Sequence, residues 1–239
     1  MEDLKNKVAF VTGGSKGIGL GIAKALMEQG MKVAITSRSQ ETVNEAVDEL
    51  FKTGSGEAMG IVADVRDYQA QKSAVQSIID KWGRLDVLIA NAGIGHFASI
   101  EHMTPEQWAS TIDTNLTGVF YSVKASLDAL KASQGYIITI ASLAGTNFFA
   151  QGAAYNASKF GLVGFTQAIM LDLRDYGIKT TTIMPGSVAT HFNDHTPNDA
   201  DAWKIQPEDL GQITVDLLKM HPRTLPSKVE VRPTMPPKR

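Results

Sequence analysis

Apolar residues recur along this chain in two alternating patterns. Short, mostly apolar runs of four to six residues, rich in β-branched side chains, fall at Val8–Val11, Val33–Thr36, Ala58–Ala63, Leu85–Ala90, Tyr136–Ala141 and Thr180–Met184. Such runs suit strands buried on both faces of a parallel sheet. Between them, apolar residues return every three or four positions, as one face of a helix requires. Ile18–Glu28 groups Ile22, Ala25 and Leu26; Gln40–Lys52 groups Val43, Val47, Leu50 and Phe51; Asp67–Trp82 groups Ala74, Val75, Ile78 and Ile79. Two longer helices are predicted over Thr104–Ala132 and Gly152–Tyr176, and another starts at Pro207-Glu208-Asp209. Lys228–Val231 can supply a seventh strand. Strand–helix alternation of this kind predicts an α/β fold: one doubly wound Rossmann-type domain over residues 1–239, with a mostly parallel seven-stranded sheet and helices on both faces. The proline-rich, basic end, about 232–239, is expected to lie on the surface as a tail.

Composition narrows the function. The 239 residues carry a formal net charge of −2 with both signs interspersed, so no electrostatic footprint for nucleic acid is expected. There is no cysteine, which excludes disulfides, thiolate catalysis and zinc–thiolate sites. The sequence near Met1 lacks the pattern of a signal peptide, and no apolar run is long enough to span a bilayer. A soluble cytoplasmic protein without a membrane partner is the expectation.

Candidate chemistry sits at three places. Thr12-Gly13-Gly14-Ser15-Lys16-Gly17-Ile18-Gly19 joins the first strand to the first helix. Glycines there permit a sharp turn and close approach of a ligand, and the helix start presents free N–H groups to a pyrophosphate. The spacing is neither G-x-G-x-x-G nor a P-loop, and an ordinary strand–helix turn can also look like this. Tyr155 and Lys159 lie four residues apart, on one helix face. A cation beside a phenol favours its ionised form. Lowering the tyrosine from near 10 to roughly 7 takes about 4 kcal/mol, which a cation about 4 Å away in a partly dry site can supply. Tyr155 can then donate a proton to a carbonyl or take one from an alcohol. Ser142 ends a strand at the carboxyl edge of the sheet, where its hydroxyl can hold a substrate oxygen. Singly, a Tyr–Lys pair is also a common solvated face, and a serine at a strand end a common turn residue.

Together these residues resemble the short-chain dehydrogenase/reductase family over about residues 5 to 190. The resemblance is carried by Thr12 to Gly19, Asp64-Val65, Ala90-Asn91-Ala92-Gly93, Asn115, the Ser142–Tyr155–Lys159 set, and Pro185-Gly186 with Thr190. It implies a catalytic group of Asn115, Ser142, Tyr155 and Lys159. It also implies a nicotinamide dinucleotide site formed by Gly13, Ser15, Lys16, Gly17, Ile18, Gly19, Ser37, Arg38, Asp64, Val65, Asn91, Ala92, Gly93, Tyr155, Lys159, Pro185, Gly186, Val188 and Thr190. In that reading Asp64 meets the adenine, Lys159 also holds the nicotinamide ribose, and Asn115 supports a water that links Lys159 to solvent. Thr190 and the Val188 backbone meet the nicotinamide amide. No metal is implied. Ala90 departs from the usual first asparagine, and Lys228–Pro233 stands where the family has a glycine-rich ending, which puts a tetramer contact built there in doubt.

The expected reaction is hydride transfer between a small carbonyl compound and its alcohol. NADP(H) is expected over NAD(H), because the end of the second strand reads Ser37-Arg38 instead of an acidic residue and Lys16 adds a charge on that side. An NAD-dependent alcohol dehydrogenase and a non-catalytic dinucleotide sensor are the other readings. The two long helices suggest a homodimer or homotetramer. Candidate pocket residues are His96, Phe97, Phe148, Phe149, Gln151, Met184 and Ser187, with His195 as a further possibility. A lid over about 190–206 has only Phe192 and Trp203 as large apolar side chains, so it is expected to be loosely held over an open site that accepts several small carbonyl compounds.

Overall fold

The computed structural model describes residues 3–53 and 56–235. The last four residues of the expected tail therefore lie outside the described residues. In chain order the elements are β1 (Val8–Val11), α1 (Gly17–Glu28), β2 (Lys32–Ser37), α2 (Gln40–Phe51), β3 (Glu57–Val62), α3 (Tyr68–Trp82) and β4 (Val87–Ala90). There follow α4 (Pro105–Ile112), α5 (Gly118–Ser133), β5 (Tyr136–Ile140), α6 (Ala153–Leu173), β6 (Lys179–Pro185), α7 (Pro207–Lys219) and β7 (Lys228–Val231). The seven strands form one sheet in the order β3-β2-β1-β4-β5-β6-β7, and every pairing is parallel.

Strand side chains alternate between two cores, one on each face of the sheet. Ala9, Val11, Val33, Ile35, Ile89 and Ile138 pack with α1, α2 and α7. Val8, Phe10, Ala34, Leu88, Ile137 and Met184 pack with α3, α5 and α6. Both faces are thus covered, which is why the strands read as continuous apolar runs. Met184 is 1% exposed within the second core, so it does not line a pocket. Chain order reverses between β1 and β4, and the crevice beyond their carboxyl ends is where such sheets bind ligands. Among the described residues, no helix is long and apolar enough to cross a membrane.

Three elements differ from the periodic reading. The fourth strand starts at Val87 and not Leu85, because the Asp86 carboxylate turns to accept the Val8 N–H at 2.9 Å and pairs with Arg84. The long helix over Thr104–Ala132 is interrupted. It starts at a capping box between Thr104 and Gln107, with Pro105 next to the cap. One turn of π-helix, Asp113–Thr117, then separates α4 from α5. The extra residue in that turn is invisible to a count of apolar periods, because the apolar stripe resumes with Val119, Val123 and Leu130. Similarly, the helix over Gly152–Tyr176 ends as α6 at Leu173, followed by a short 3₁₀ turn to Tyr176.

Candidate active site

The carboxyl edges of β1, β2, β4, β5 and β6 open on one cleft of about 810 Å³. It runs from Arg38 and Asp64 at one end, past the glycine turn, to Ser142, Tyr155 and the lid at the other. All the residues implied as cofactor-binding line it except Gly19. Gly19 lies one layer behind: a Cβ there would sit 2.4 Å from the Gly13 carbonyl oxygen and 2.5 Å from Asn91 Nδ2. Gly13 and Gly17 have φ of 62° and 55°, the left-handed conformation that favours glycine.

The glycine turn is tied to β4 through Thr12, which the motif comparison did not single out for a role. Thr12 Oγ1 accepts the N–H groups of Asn91 at 3.1 Å and Ala92 at 3.2 Å, and Asn91 Nδ2 donates to the carbonyls of Thr12 and Gly13, both at 3.0 Å. Behind this turn, α1 begins with no side-chain cap and no acidic residue in its first turn. Its leading N–H groups therefore face the cleft without a competing carboxylate, which suits a pyrophosphate. The residues present thus fit a dinucleotide.

At the end of the cleft away from Ser142, Lys16, Arg38 and Arg66 line the wall together with one carboxylate, Asp64. Arg66 grips that carboxylate: its Nε lies 3.1 Å from both oxygens, its Nη2 2.6 Å from Oδ2, and its backbone N–H 2.9 Å from Oδ1. The hydrogen bonds from Arg66 hold Asp64 below the usual carboxylate range. Sequence reasoning overlooked Arg66; an arginine two residues after an Asp at a strand end is the signal that points to this clasp.

At the other end, Ser142 follows β5 and its hydroxyl accepts the Ala144 N–H at 3.1 Å. Tyr155 and Lys159 lie on the first turns of α6. The Lys159 ammonium is buried, donates to the Ile140 carbonyl at 2.9 Å, and stands 5.7 Å from the centre of the Tyr155 ring. Burial here acts against the ionised phenol that the neighbouring cation is expected to favour. Burial pushes the Tyr155 phenol above its ordinary value of 10, opposed by a hydrogen bond with Ser142, and burial pulls Lys159 down to about 8. At this separation the cation does not outweigh desolvation of the phenolate. Desolvation thus favours the neutral phenol of Tyr155.

Asn115 does not line the cleft. It is fully buried in the π turn, where its carboxamide accepts from the Ile94 N–H and donates to the Ile94 carbonyl, each at 2.9 Å. Its amide also donates to Ser158 Oγ at 3.0 Å, and that hydroxyl donates to the Tyr155 carbonyl at 2.8 Å. Asn115 thus joins the loop after β4 to the first turn of α6. Asn156 adds a second tie, donating to the carbonyls of Ala144 and Asn147 at 2.8 Å each.

The lid is held by polar contacts, where counting apolar side chains had suggested little to hold it. Asp201 is buried and receives Lys204 Nζ and His195 Nε2, each at 2.5 Å, and the Asn198 N–H at 3.2 Å. These bonds, Lys204 first, lower the Asp201 carboxyl to about 2. At the root of the lid, Val188 and Ile205 form a parallel bridge. His96, His195 and Ser187 line the cleft. Phe97 and Phe149 form an aromatic group with Tyr155 and Phe192, whereas Phe148 is 87% exposed. Gln151 bonds through its carbonyl to the Ala98 N–H at 3.0 Å.

The sequence profile of the short chain dehydrogenase family matches residues 7–201. A trans-4-hydroxycyclohexanecarboxylate dehydrogenase of Sinomonas cyclohexanicum is 38% identical over 189 residues, covering 77% of this chain and 73% of the relative. A 3-oxoacyl-(acyl-carrier-protein) reductase of Synechocystis sp. is 37% identical over 196 residues, covering 82% and 79%. Among solved structures, an alcohol dehydrogenase of the archaeon Thermococcus sibiricus, complexed with 5-hydroxy-NADP, superposes with a TM-score of 0.91 at 26% identity, over 98% of this chain and 100% of that one. The parallel sheet, its switch-point cleft and the span of the family match agree: this chain belongs to the short-chain dehydrogenases, oxidoreductases that act on carbonyl and alcohol groups.

Proposed function

We propose that this protein is an NADP(H)-dependent reductase of small ketones and aldehydes, with Tyr155 as the proton donor. The observation that carries the reading is that Ser142, Tyr155 and the buried Lys159 converge at one end of a cleft shaped for a dinucleotide, with the Lys159 ammonium 5.7 Å from the centre of the Tyr155 ring. A nicotinamide, when bound, supplies the hydride. Ser142 holds the substrate oxygen by a hydrogen bond. Tyr155 passes its phenolic proton to that oxygen as negative charge develops there. Lys159 offsets the charge left on the phenolate. Asn115 fixes the loop and helix that hold these groups in register. In the alcohol-oxidising direction the same residues run the transfer in reverse.

The cations Lys16, Arg38 and Arg66 support NADP(H) over NAD(H), since a 2′-phosphate pairs with them and no unclasped carboxylate opposes it. Exposed apolar side chains on α5 and α6, Phe120 at 45%, Phe160 at 44% and Leu171 at 54%, support a homo-oligomer formed through these helices.

Tyr155→Phe tests the reading. It keeps the ring and removes the proton, so turnover should fall by ~10² to 10⁴-fold while dinucleotide binding persists. Retention of more than about a tenth of wild-type turnover in the absorbance assay would remove Tyr155 from the role.

A further inference from the structure

We infer that Phe192 decides which carbonyl compounds reach Tyr155: its ring fills a seat over the tyrosine that a ring on the substrate takes when it binds. The inference rests on the reductase reading and concerns its substrate class. Phe192 comes from the lid, yet its ring centre lies 5.7 Å from that of Tyr155 and 6.4 Å from that of Phe97. Phe97 in turn stands 5.4 Å from Tyr155 and 5.9 Å from Phe149. These tilted and edge-on arrangements are those aromatic rings favour.

The seat has a cut-out floor. A Cβ at Gly95 would lie 2.7 Å from Phe192 Cζ and 2.9 Å from Phe97 Cζ, so the ring enters space that any other residue would close. The occupant can also leave. Phe192 is 37% exposed, and the next residue, Asn193, is in the left-handed conformation at φ 58°, ψ 47°. Asparagine adopts that conformation more readily than most residues, and the partly exposed ring turns aside through its own side-chain torsions. A substrate must bring its carbonyl to the Tyr155 hydroxyl, and Phe192 covers the approach along the ring. The benzene-sized occupant gives the seat's dimensions, and its walls of Phe97 and Tyr155, with Phe149 behind Phe97, give its chemistry. The matching substrates are ketones with a six-membered apolar or aromatic ring beside the carbonyl. Such a ring displaces Phe192 and takes over its contacts; a short aliphatic ketone cannot replace them.

The test measures KM and kcat with NADPH for acetophenone, cyclohexyl methyl ketone and 2-butanone. The native protein should favour the ring ketones over 2-butanone in kcat/KM by roughly tenfold. Phe192→Ala clears the seat in advance, so KM for the ring ketones should fall roughly fivefold, with 2-butanone changed by less than about twofold. Phe192→Leu should move the same way by less. Gly95→Ala puts a methyl group into the seat, so KM for the ring ketones should rise. An unchanged or raised KM for ring ketones in both Phe192 variants overturns the inference, because Phe192 would then be a bystander or a wall the substrate packs on. Calorimetric titration of acetophenone into the Tyr155→Phe protein, with and without Phe192→Ala, reads the seat without turnover. A roughly fivefold tighter binding there supports the seat, even if no carbonyl is turned over and the reductase reading fails. Equal binding overturns it.

Discussion

The two ends of the cleft are built on different principles. The nucleotide end rests on side chains that are wholly buried, such as Val11, Ile22, Leu26 and Ile35, and on backbone groups of the glycine turn locked to β4. The lid end rests on one buried carboxylate with its ion-pair partners and on partly exposed rings. Close packing against backbone leaves no room for adjustment, so lesions at the nucleotide end should be severe and independent of substrate. Polar pairs and surface rings can rearrange, so lesions at the lid should be graded and should depend on the substrate.

Four measurements sharpen or break this contrast, in order of expected effect. Gly19→Ala forces a methyl group against the Gly13 carbonyl and Asn91. Overpacking of about 1–3 kcal/mol converts to a loss of roughly 5 to 150-fold in dinucleotide affinity, read by titration of NADPH fluorescence. An unchanged Kd would mean that the nucleotide end is as adaptable as the lid. The second measurement is a pH profile at the junction of the two ends. Burial lowers Lys159 to about 8, so it is a cation below that pH and neutral above. Carbonyl reduction needs the cation beside the forming phenolate, so kcat/KM should be level below about pH 8 and fall by about tenfold per unit above it. Stability runs the other way. The folded value lies below the ordinary 10.5, so the cost of burying the charge is fully present below about 8 and fades as pH rises toward 10.5. A profile without that limb would detach Lys159 from the proton transfer.

The third measurement is cofactor choice. Arg38→Glu places a carboxylate where a 2′-phosphate is proposed to lie, and should lower the NADPH-to-NADH ratio of kcat/KM by about tenfold or more. An unaltered ratio would put Arg38 outside the phosphate site. The smallest effect belongs to Asp201→Asn, which keeps the shape of the lid hub and removes its charge. Because its partners His195 and Lys204 lie near the surface, KM for ketones should rise only about threefold, with NADPH affinity unchanged. A matching loss of NADPH affinity would join the two ends into one unit.

What could be read from the amino-acid order follows the same division. Strands covered on both faces announce themselves as β-branched runs, and the glycine turn, Ser142, Tyr155 and Lys159 keep fixed spacings that survive without coordinates. The side to which each strand residue points is not legible in such runs, which is why Met184 looked like a pocket residue although it sits in the core. The Asp201 hub joins polar residues at three-residue steps, His195, Asn198, Asp201 and Lys204, which a count of apolar side chains passes over, so the lid looked loosely held. The Arg66 clasp on Asp64 depends on the local backbone path and not on any periodicity. Tyr155 and Lys159 were correctly paired on one helix, but the balance between their attraction and the desolvation of both is set by burial that only coordinates reveal.

The π turn at Asp113–Thr117 works as slack taken up inside a helix. A π turn holds one residue more than an α turn, so the surplus is absorbed on the spot and α5 still presents Val119, Val123 and Leu130 to the core. Removing a single residue from this turn would leave a regular helix with the same core face. What it would take away is the bulge that carries Asn115, whose carboxamide would lose its alignment with Ile94 and with Ser158. The surplus residue therefore serves the seam between the loop after β4 and the start of α6, and not the packing of α5 on the sheet.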